Sequence, residues 1–322
     1  MRASSMHNRK APPISNLESR INAGGVMHDF EYYRPQTLDD ALSVYKKAGA
    51  AAKLLAGGTE LVNEMRLGKT QPAHIIDLKH IHEMDFMELG ADGLRIGALY
   101  RVRDAEVSPK LRQSPYSALS HAAGTLGSPQ VRNKATIVGN VCRCSPSADL
   151  IPPLIALHAS ARIKTDETER MVAVEDMLLG PGKTILQSGD IVTELFIPAM
   201  RAHAGCSYYK LSPRKSLDLA VVGVAAMIRT NPQMSKCLEA RIVLGAVAPT
   251  AVRAKKAESI LTGATLSQTI IEEAAQAASD ESKPIDDVRA SAWYRKKMVA
   301  VATKRAINLA IEQCSRGSIA RS

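Results

Sequence analysis

The sequence is poor in aromatic residues and has no long apolar segment. Aromatics make up 4% of the 322 residues, with one Trp and three Phe. Proteins that bind nucleic acids usually combine a basic surface with stacking aromatic side chains. The net charge of +10 therefore does not indicate a nucleic-acid partner, since the basic residues are spread along the chain. Because no run of about 18 apolar residues occurs, we expect no membrane-spanning helix.

Cysteines are also few, and none of them lies in a CxxC pair. The chain has five, of which Cys142 and Cys144 are separated by one residue and the others are isolated. Zinc and iron–sulfur sites normally use closely spaced cysteine pairs, so we expect neither in this chain. An odd number of cysteines without a signal sequence favours a reducing compartment, the cytoplasm, and no disulfide framework.

Length and composition predict a soluble globular protein of two domains. Apolar residues make up 45% and charged residues 23% of the chain, which is ordinary for a protein with a substantial core. Residues 1–26 lack the apolar segment of a signal peptide, and we expect a disordered extension there. Pro198 and the small, polar residues after it predict a boundary, which gives domains over 27–203 and 204–314 and a tail over 315–322.

A pair of glycines interrupts a predicted strand–helix unit in the first domain. Residues 53–56 are predicted to form a buried strand, Gly57 and Gly58 a sharp turn, and Thr59 the start of a helix. Glycines let the backbone approach a diphosphate closely, and a helix start presents unpaired N–H groups. The segment is neither a P-loop nor a GxGxxG motif. A tight turn with a purely structural role is therefore an alternative.

Small and polar residues are concentrated in a second stretch, residues 127–149, which reads GSPQVRNKATIVGNVCRCSPSAD. Apolar segments flank it on both sides, which favours a lined cleft over a surface connection. Thr136, Gly139 and Asn140 offer a hydroxyl, backbone N–H groups and a carboxamide. Such groups can hold an anion or a polar cofactor without a basic side chain.

The second domain is predicted to contain strands followed by three helices, an order that indicates an α+β layer. The helices are expected to begin near Pro249, Leu266 and Val288, and the last should run to Cys314. A basic outer face on that last helix is either solvated or a docking face for an acidic subunit. The residues of this face are Arg295, Lys296, Lys297, Lys304 and Arg305.

Three motifs occur together in this chain. They are LLAGGTEL at 54–61, GSPQVRNKATIVGN with SPSAD within 127–149, and YYKLSPRKSLDLAVVG at 208–223. In this order and spacing they closely resemble the FAD-binding subunits of the molybdenum hydroxylase family. That family includes xanthine dehydrogenase, the medium subunit of carbon monoxide dehydrogenase, and nicotinate dehydrogenase. The resemblance covers about residues 28–312.

The resemblance implies a fold, a cofactor and partners. The fold is α+β, with a p-cresol methylhydroxylase-type FAD-binding domain of two lobes and a smaller α+β C-terminal domain. FAD is implied in this chain, and molybdopterin and [2Fe–2S] clusters on a large and a small partner subunit, as a dimer of heterotrimers. Such an oxidoreductase subunit would pass electrons from the clusters through FAD to NAD⁺ or another acceptor. It would need no catalytic acid or base and no metal of its own.

The resemblance also assigns FAD contacts to particular positions. Residues of the first glycine turn would wrap the diphosphate, and those of the second stretch would close on the same cofactor. Lys210 would reach the flavin from the second domain, and Leu219 lies where relatives place a side chain against the isoalloxazine ring. The implied cofactor-binding residues are Leu54, Leu55, Ala56, Gly57, Gly58, Thr59, Glu60, Leu61, Gly127, Ser128, Thr136, Ile137, Val138, Gly139, Asn140, Asp149, Val192 and Lys210.

The second motif departs from the family pattern at one position. Relatives usually have Thr-Ile-Gly-Gly-Asn, whereas this chain has Val138 as the third residue. A β-branched residue disfavours positive φ and narrows the approach to a cofactor. Val138 is the single feature that favours a degenerate, FAD-free scaffold subunit. A stand-alone flavin oxidase is a further alternative, although the chain lacks a clear substrate domain rich in aromatic residues and His.

Overall fold

The computed structural model describes residues 28–113, 115–214 and 217–316. The predicted extension over 1–26 and most of the predicted tail therefore lie outside the described residues. Within them, strands and helices form two lobes of a first domain and a second, smaller α+β unit.

A three-stranded parallel sheet forms the first lobe. Its strands are β1 (Glu31–Tyr33), β2 (Ala52–Leu55) and β3 (His74–Asp77), in the order β1-β3-β2. Helix α1 (Leu38–Ala48) joins β1 to β2, and α2 (Leu61–Arg66) joins β2 to β3. Helix α1 begins after Thr37, whose hydroxyl accepts the N–H of Asp40 at 3.1 Å.

A five-stranded antiparallel sheet forms the second lobe. Its strands are β4 (Met87–Leu89), β5 (Gly93–Gly97), β6 (Ser160–Lys164), β7 (Glu169–Ala173) and β10 (Ile191–Pro198), in the order β4-β5-β10-β6-β7. Between β7 and β10 lies a small hairpin of β8 (Leu178–Gly180) and β9 (Lys183–Thr184).

Six short helices separate β5 from β6. They are α3 (Val102–Val107), α4 (Pro109–Arg112), α5 (Ser117–Thr125), α6 (Pro129–Arg132), α7 (Ile137–Arg143) and α8 (Ile151–Ala156). The stretch over 127–149, which its composition predicts as turns, thus contains two helices. Ser128 and Thr136 each accept a backbone N–H three residues later and so start α6 and α7.

The second domain packs an antiparallel sheet against helices. The strands are β11 (Ala204–Leu211), β12 (Val222–Thr230), β13 (Cys237–Gly245) and β14 (Val252–Arg253), in sequence order, followed by α9 (Lys255–Leu261), α10 (Gln268–Glu281) and α11 (Ala292–Arg316). The predicted order of strands before three helices is confirmed.

Several boundaries of the second domain differ from the prediction. The helix expected from Pro249 begins at Lys255, because the chain first pairs as β14. The last helix begins at Ala292 rather than Val288 and continues to Arg316, so that the predicted tail begins within it. Arg295, expected on a basic outer face, is 1% exposed. Lys296, Lys297 and Arg305 are exposed as expected, so the expected basic face fails at Arg295.

Strand β12 has core residues on both faces. Val224, Ala226 and Ile228 belong to the core of the second domain, while Ala225 and Met227 belong to that of the first. Alternate residues of a strand point to opposite faces. Residues 222–228 of the strand carry no polar side chain because α11 covers one side of the sheet and the first domain covers the other. This shared sheet joins the two domains.

Candidate functional site

A cavity of about 780 Å³ opens where both lobes and the second domain meet. The first lobe contributes residues 52–61, the second contributes Val192, and the second domain contributes Leu217 and Leu219. This volume is typical of a site for a large cofactor. Most of the residues predicted from the sequence as cofactor contacts line this cavity, although they come from segments far apart in the chain.

Glycine is needed at the two positions of the first turn for different structural reasons. A Cβ on Gly57 would lie 2.2 Å from the carbonyl oxygen of Lys134, so only glycine lets the two turns approach this closely. Gly58 has a φ of +73°, in the left-handed region that favours glycine. Gly57 therefore packs the first turn against the chain leading into α7, and Gly58 reverses the chain toward α2.

The first turn presents backbone donors to the cavity. Among the described residues, the N–H groups of Gly58, Thr59, Glu60 and Leu61 donate no hydrogen bond. All four residues line the cavity. Consecutive free N–H groups suit the oxygens of a phosphate or diphosphate.

The second turn is the start of helix α7. Thr136 caps it by accepting the N–H of Gly139 at 3.0 Å, and a Cβ on Gly139 would lie 2.8 Å from that hydroxyl. Asn140 lines the cavity with its side-chain Oδ1 buried and without a hydrogen-bond partner among the described residues. An unsatisfied buried oxygen costs free energy, so a donor from a bound group is expected there. The residues present fit a polar cofactor.

Val138 does not have the strained backbone that its β-branched side chain would resist. It is the second residue of α7, is 4% exposed, and is absent from the non-glycine residues with positive φ. The concern about backbone strain at this position is therefore wrong. Its side chain lines the cavity, so Val138 makes the cavity somewhat narrower at this point than a glycine would.

Asp149 is already engaged by the second domain. Its carboxylate accepts hydrogen bonds from Lys210 Nζ and from the hydroxyl of Tyr208, each at 2.8 Å. Lys210 also donates to the carbonyl oxygen of Thr125 at 2.8 Å. Burial raises the pKa of Asp149, and the contacts with Lys210 and Tyr208 oppose that shift. These buried groups fix the second domain against the end of the second stretch.

Three of the predicted contacts lie behind the cavity wall rather than on it. Ser128 caps α6, Ile137 is fully buried in the first core, and Lys210 reaches the wall only through Asp149. The structure also brings residues to the wall that the sequence did not suggest. Among them are Tyr45, Glu64, Cys142, Arg143, Gln187 and Asp190. They come from different elements, so no local motif marks them.

The described residues contain neither a metal-binding cluster nor a membrane-spanning helix. Within residues 28–113, 115–214 and 217–316, no three His, Cys, Asp or Glu side chains gather to hold a metal ion. No helix in this part of the chain is long and apolar enough to cross a membrane. The five cysteines, all within it, are free.

Two known families match this chain, one over each domain. Residues 28–200 match the family described as FAD binding domain in molybdopterin dehydrogenase, and residues 207–310 match CO dehydrogenase flavoprotein C-terminal domain. The chain belongs to the FAD-binding subunits of molybdopterin dehydrogenases. The predicted family, fold and cofactor are thereby confirmed, and this FAD-binding subunit is part of a multi-subunit oxidoreductase.

Individual relatives support the same assignment over nearly the whole chain. The medium chain of carbon monoxide dehydrogenase from Hydrogenophaga pseudoflava is 33% identical, covering 89% of this chain and 98% of the relative. The FAD subunit of nicotinate dehydrogenase from Eubacterium barkeri is 30% identical, covering 90% and 99%. A solved structure of the Hydrogenophaga pseudoflava carbon monoxide dehydrogenase superposes with a TM-score of 0.85 at 32% identity, covering 90% and 99%.

Proposed function

We propose that this chain is the electron-transfer subunit of a heteromeric molybdenum hydroxylase. In this role it receives electrons from [2Fe–2S] clusters on a small partner subunit and delivers them to NAD⁺ or another acceptor. The observation that carries the proposal is the cavity in which two glycine-containing turns converge, with free backbone donors on one side and the unpartnered Asn140 Oδ1 on the other.

Within this proposal, the two turns hold opposite sides of the FAD. The N–H groups of Gly58 to Leu61 would hold the diphosphate, and the start of α7, with Asn140, would hold the same cofactor from the other side. Leu219 lines the cavity and is half-exposed, so its side chain would be available to the ring system. When bound, FAD supplies reversible redox chemistry that links one-electron and two-electron partners. The chain's own groups orient the cofactor and exclude water.

The proposed complex also contains a large molybdopterin subunit, in a dimer of heterotrimers. This composition is supported by the similarity of the chain to medium chains of carbon monoxide dehydrogenase, which it matches along almost their full length. Domain limits of 27–203 and 204–314 belong to the same proposal and agree with the two family matches to within a few residues at each end. A cytoplasmic location of the complex stays a prediction.

The proposal is tested on the complex purified with its partner subunits. We expect flavin absorbance in the yellow bands, close to one FAD per copy of this chain, and bleaching of those bands when the oxidisable substrate is added without an acceptor. The chain alone should show at most diaphorase activity. A complex without flavin absorbance contradicts the assignment, and a flavin that is never bleached by substrate contradicts the electron route.

A further inference from the structure

Arg143 joins the two turns that form the cavity. It is the last residue of α7, and its Nε lies 3.3 Å from Oε2 of Glu60 in the first turn. Its Nη2 lies 2.9 Å from Oε1 of Glu64 on α2. One guanidinium group thus bridges the end of the second turn's helix to both the first turn and the helix that follows it.

The turn of the β8–β9 hairpin lies next to this guanidinium group. A Cβ on Gly182 would lie 3.2 Å from Nη1 of Arg143, and Gly182 has a φ of +68°. The N–H of Gly182 donates to the carbonyl oxygen of Cys144 at 2.9 Å, and Cys144 itself has a φ of +50°. The hairpin is therefore hydrogen-bonded to Cys144, the residue after Arg143. The missing side chain of Gly182 leaves space for the arginine.

The charges around this bridge oppose the proposed ligand. Glu60 and Glu64 both line the cavity beside the free N–H groups of the first turn. The diphosphate of FAD carries negative charge, and like charges at short range repel. Arg143 and Lys53 are the only basic residues among the described residues that line the cavity. Among the described residues, Arg143 is the only ion-pair partner of Glu60 and Glu64, so without it neither carboxylate would be paired beside the diphosphate.

We propose that Arg143 is a positioning residue of the FAD site, which clamps the two turns together and neutralises Glu60 and Glu64. This inference rests on the proposed binding of the diphosphate by the first turn. Arg143 acts through the two carboxylates, not by direct contact with the cofactor. Its side chain is 40% exposed, so the effect should be moderate and dependent on salt.

The experiment measures the dissociation constant of FAD for the full-length chain freed of flavin, by quenching of flavin fluorescence. For Arg143→Gln we expect binding roughly three- to tenfold weaker at low salt. The deficit should shrink to about twofold near 0.5 M salt, because the screening length falls from about 10 Å at 0.1 M to about 3 Å at 1 M. Arg143→Lys should retain most of the affinity.

Rescue separates this role from a direct phosphate contact. In the triple variant Arg143→Gln, Glu60→Gln, Glu64→Gln, the repelling charges are gone but the ion-pair clamp is lost as well, so FAD affinity should recover most, though not all, of the deficit of Arg143→Gln. If the triple variant binds as weakly as Arg143→Gln alone, the inference is overturned. It is also overturned if Arg143→Gln binds FAD as well as the unaltered chain does.

Arg66→Gln is the matched control. Arg66 is exposed at the end of α2, makes no ion pair among the described residues, and does not line the cavity. It should change FAD affinity by less than about twofold, because its charge is screened by solvent. An equal loss in Arg66→Gln and Arg143→Gln would indicate a general charge effect and overturn the inference.

Two outcomes keep this test separate from that of the proposed function. If the unaltered chain binds no FAD, the proposed function fails, whatever the variants do. If Arg143→Gln does not fold, Glu60→Gln alone decides, since removing one carboxylate beside the retained Arg143 should tighten FAD binding. Weaker or unchanged binding in Glu60→Gln would then overturn the inference.

Discussion

At the scale of single residues, the local environment decides what a departure from the family pattern means. From the sequence, Val138 is the one feature that argues against a bound cofactor. In the fold it is a helical residue with negative φ and a buried side chain, so it contributes to the core as well as to the cavity wall. A valine is compatible with this backbone, and the case for a FAD-free scaffold loses its support.

Replacing Val138 by Gly should therefore reduce stability without increasing bound flavin. Loss of the buried side chain and the low helix propensity of glycine together should cost about 2–4 kcal/mol. Urea unfolding gives the stability, and flavin absorbance per chain gives the occupancy. Val138→Ala, which keeps helix propensity, serves as the control and should cost less. A large rise in flavin over a low starting occupancy would restore the scaffold hypothesis.

At the scale of elements, the site depends on how closely two turns can pack. Gly57 lies against the carbonyl oxygen of Lys134, at a distance that no side chain allows. The first turn is therefore positioned by the chain that leads into α7, and the second turn by Thr136. Each turn has a recognisable sequence, but their contact across about 80 residues is what encloses the cavity.

Gly57→Ala should separate the two turns. We expect a loss of at least about 2 kcal/mol in stability, because backbone atoms cannot yield as a flexible side chain can, and FAD binding at least roughly tenfold weaker. Gly180→Ala is the matched control, since a Cβ there meets nothing within 4 Å and its φ is not positive. Equal effects of the two substitutions on FAD binding would show that turn packing is not the cause.

Strand β10 carries a buried carboxylate in the second lobe. Glu194 lies opposite Arg162 of β6, whose Nε donates to it at 2.9 Å, and Arg95 of β5 donates at 3.1 Å. Burial would raise the pKa of Glu194, but the two guanidinium groups outweigh it and lower the pKa. A lowered pKa in the folded state stabilises the fold above the ordinary pKa of the carboxyl, and that contribution is lost as the pH falls through the lowered value.

The difference in unfolding free energy between the unaltered chain and Glu194→Gln should follow this titration. We expect about 1–2 kcal/mol at pH 7, decreasing as the pH falls below about 4.5, where a protonated carboxyl and an amide become similar. Glu88→Gln is the control: Glu88 contacts the same Arg95 at 2.9 Å but is exposed, so it should cost below about 0.5 kcal/mol. A difference in unfolding free energy that stays constant with pH would show that the ionised carboxylate of Glu194 does not stabilise the fold.

At the scale of the whole molecule, buried polar contacts attach the second domain to the wall of the cavity. Asp149 belongs to the second stretch of the first domain, and Tyr208 and Lys210 belong to β11. The side chains of Asp149 and Lys210 are each 5% exposed. A buried ion pair is costly to break from one side, because the remaining charge has no solvent to stabilise it. The pair thus fixes the relative placement of the two domains.

Lys210→Met should destabilise the protein by about 3–5 kcal/mol, whereas Lys210→Met with Asp149→Asn should recover a large part of that loss. Urea unfolding at pH 7 measures both. Lys46→Met is the control, because Lys46 forms an ion pair of the same 2.8 Å length with Asp166 on the surface. Its replacement should leave the unfolding free energy almost unchanged, because solvent screens an exposed ion pair. Similar costs at Lys210 and Lys46 would contradict the role of burial.

The sequence by itself determined the local features of this protein. The cap at Thr37, the stop at Gly49, and the glycine turn after β2 follow from backbone preferences within a few residues. The motifs that identify the family are likewise short and contiguous. The order of strands before three helices in the second domain was predictable, because periodicity reports the type of an element well.

Only the tertiary structure decided which side chains meet. Arg143 reaches Glu60 from 83 positions away, and Asp149 is held by Lys210 from 61 positions away. Arg295, whose pattern suggested an exposed face, is buried between carbonyl oxygens of Val221 and Ala246. Periodicity gives the faces of a helix but not which face is covered, because coverage depends on elements that are distant in sequence. The lining of the cofactor cavity is decided in the same way.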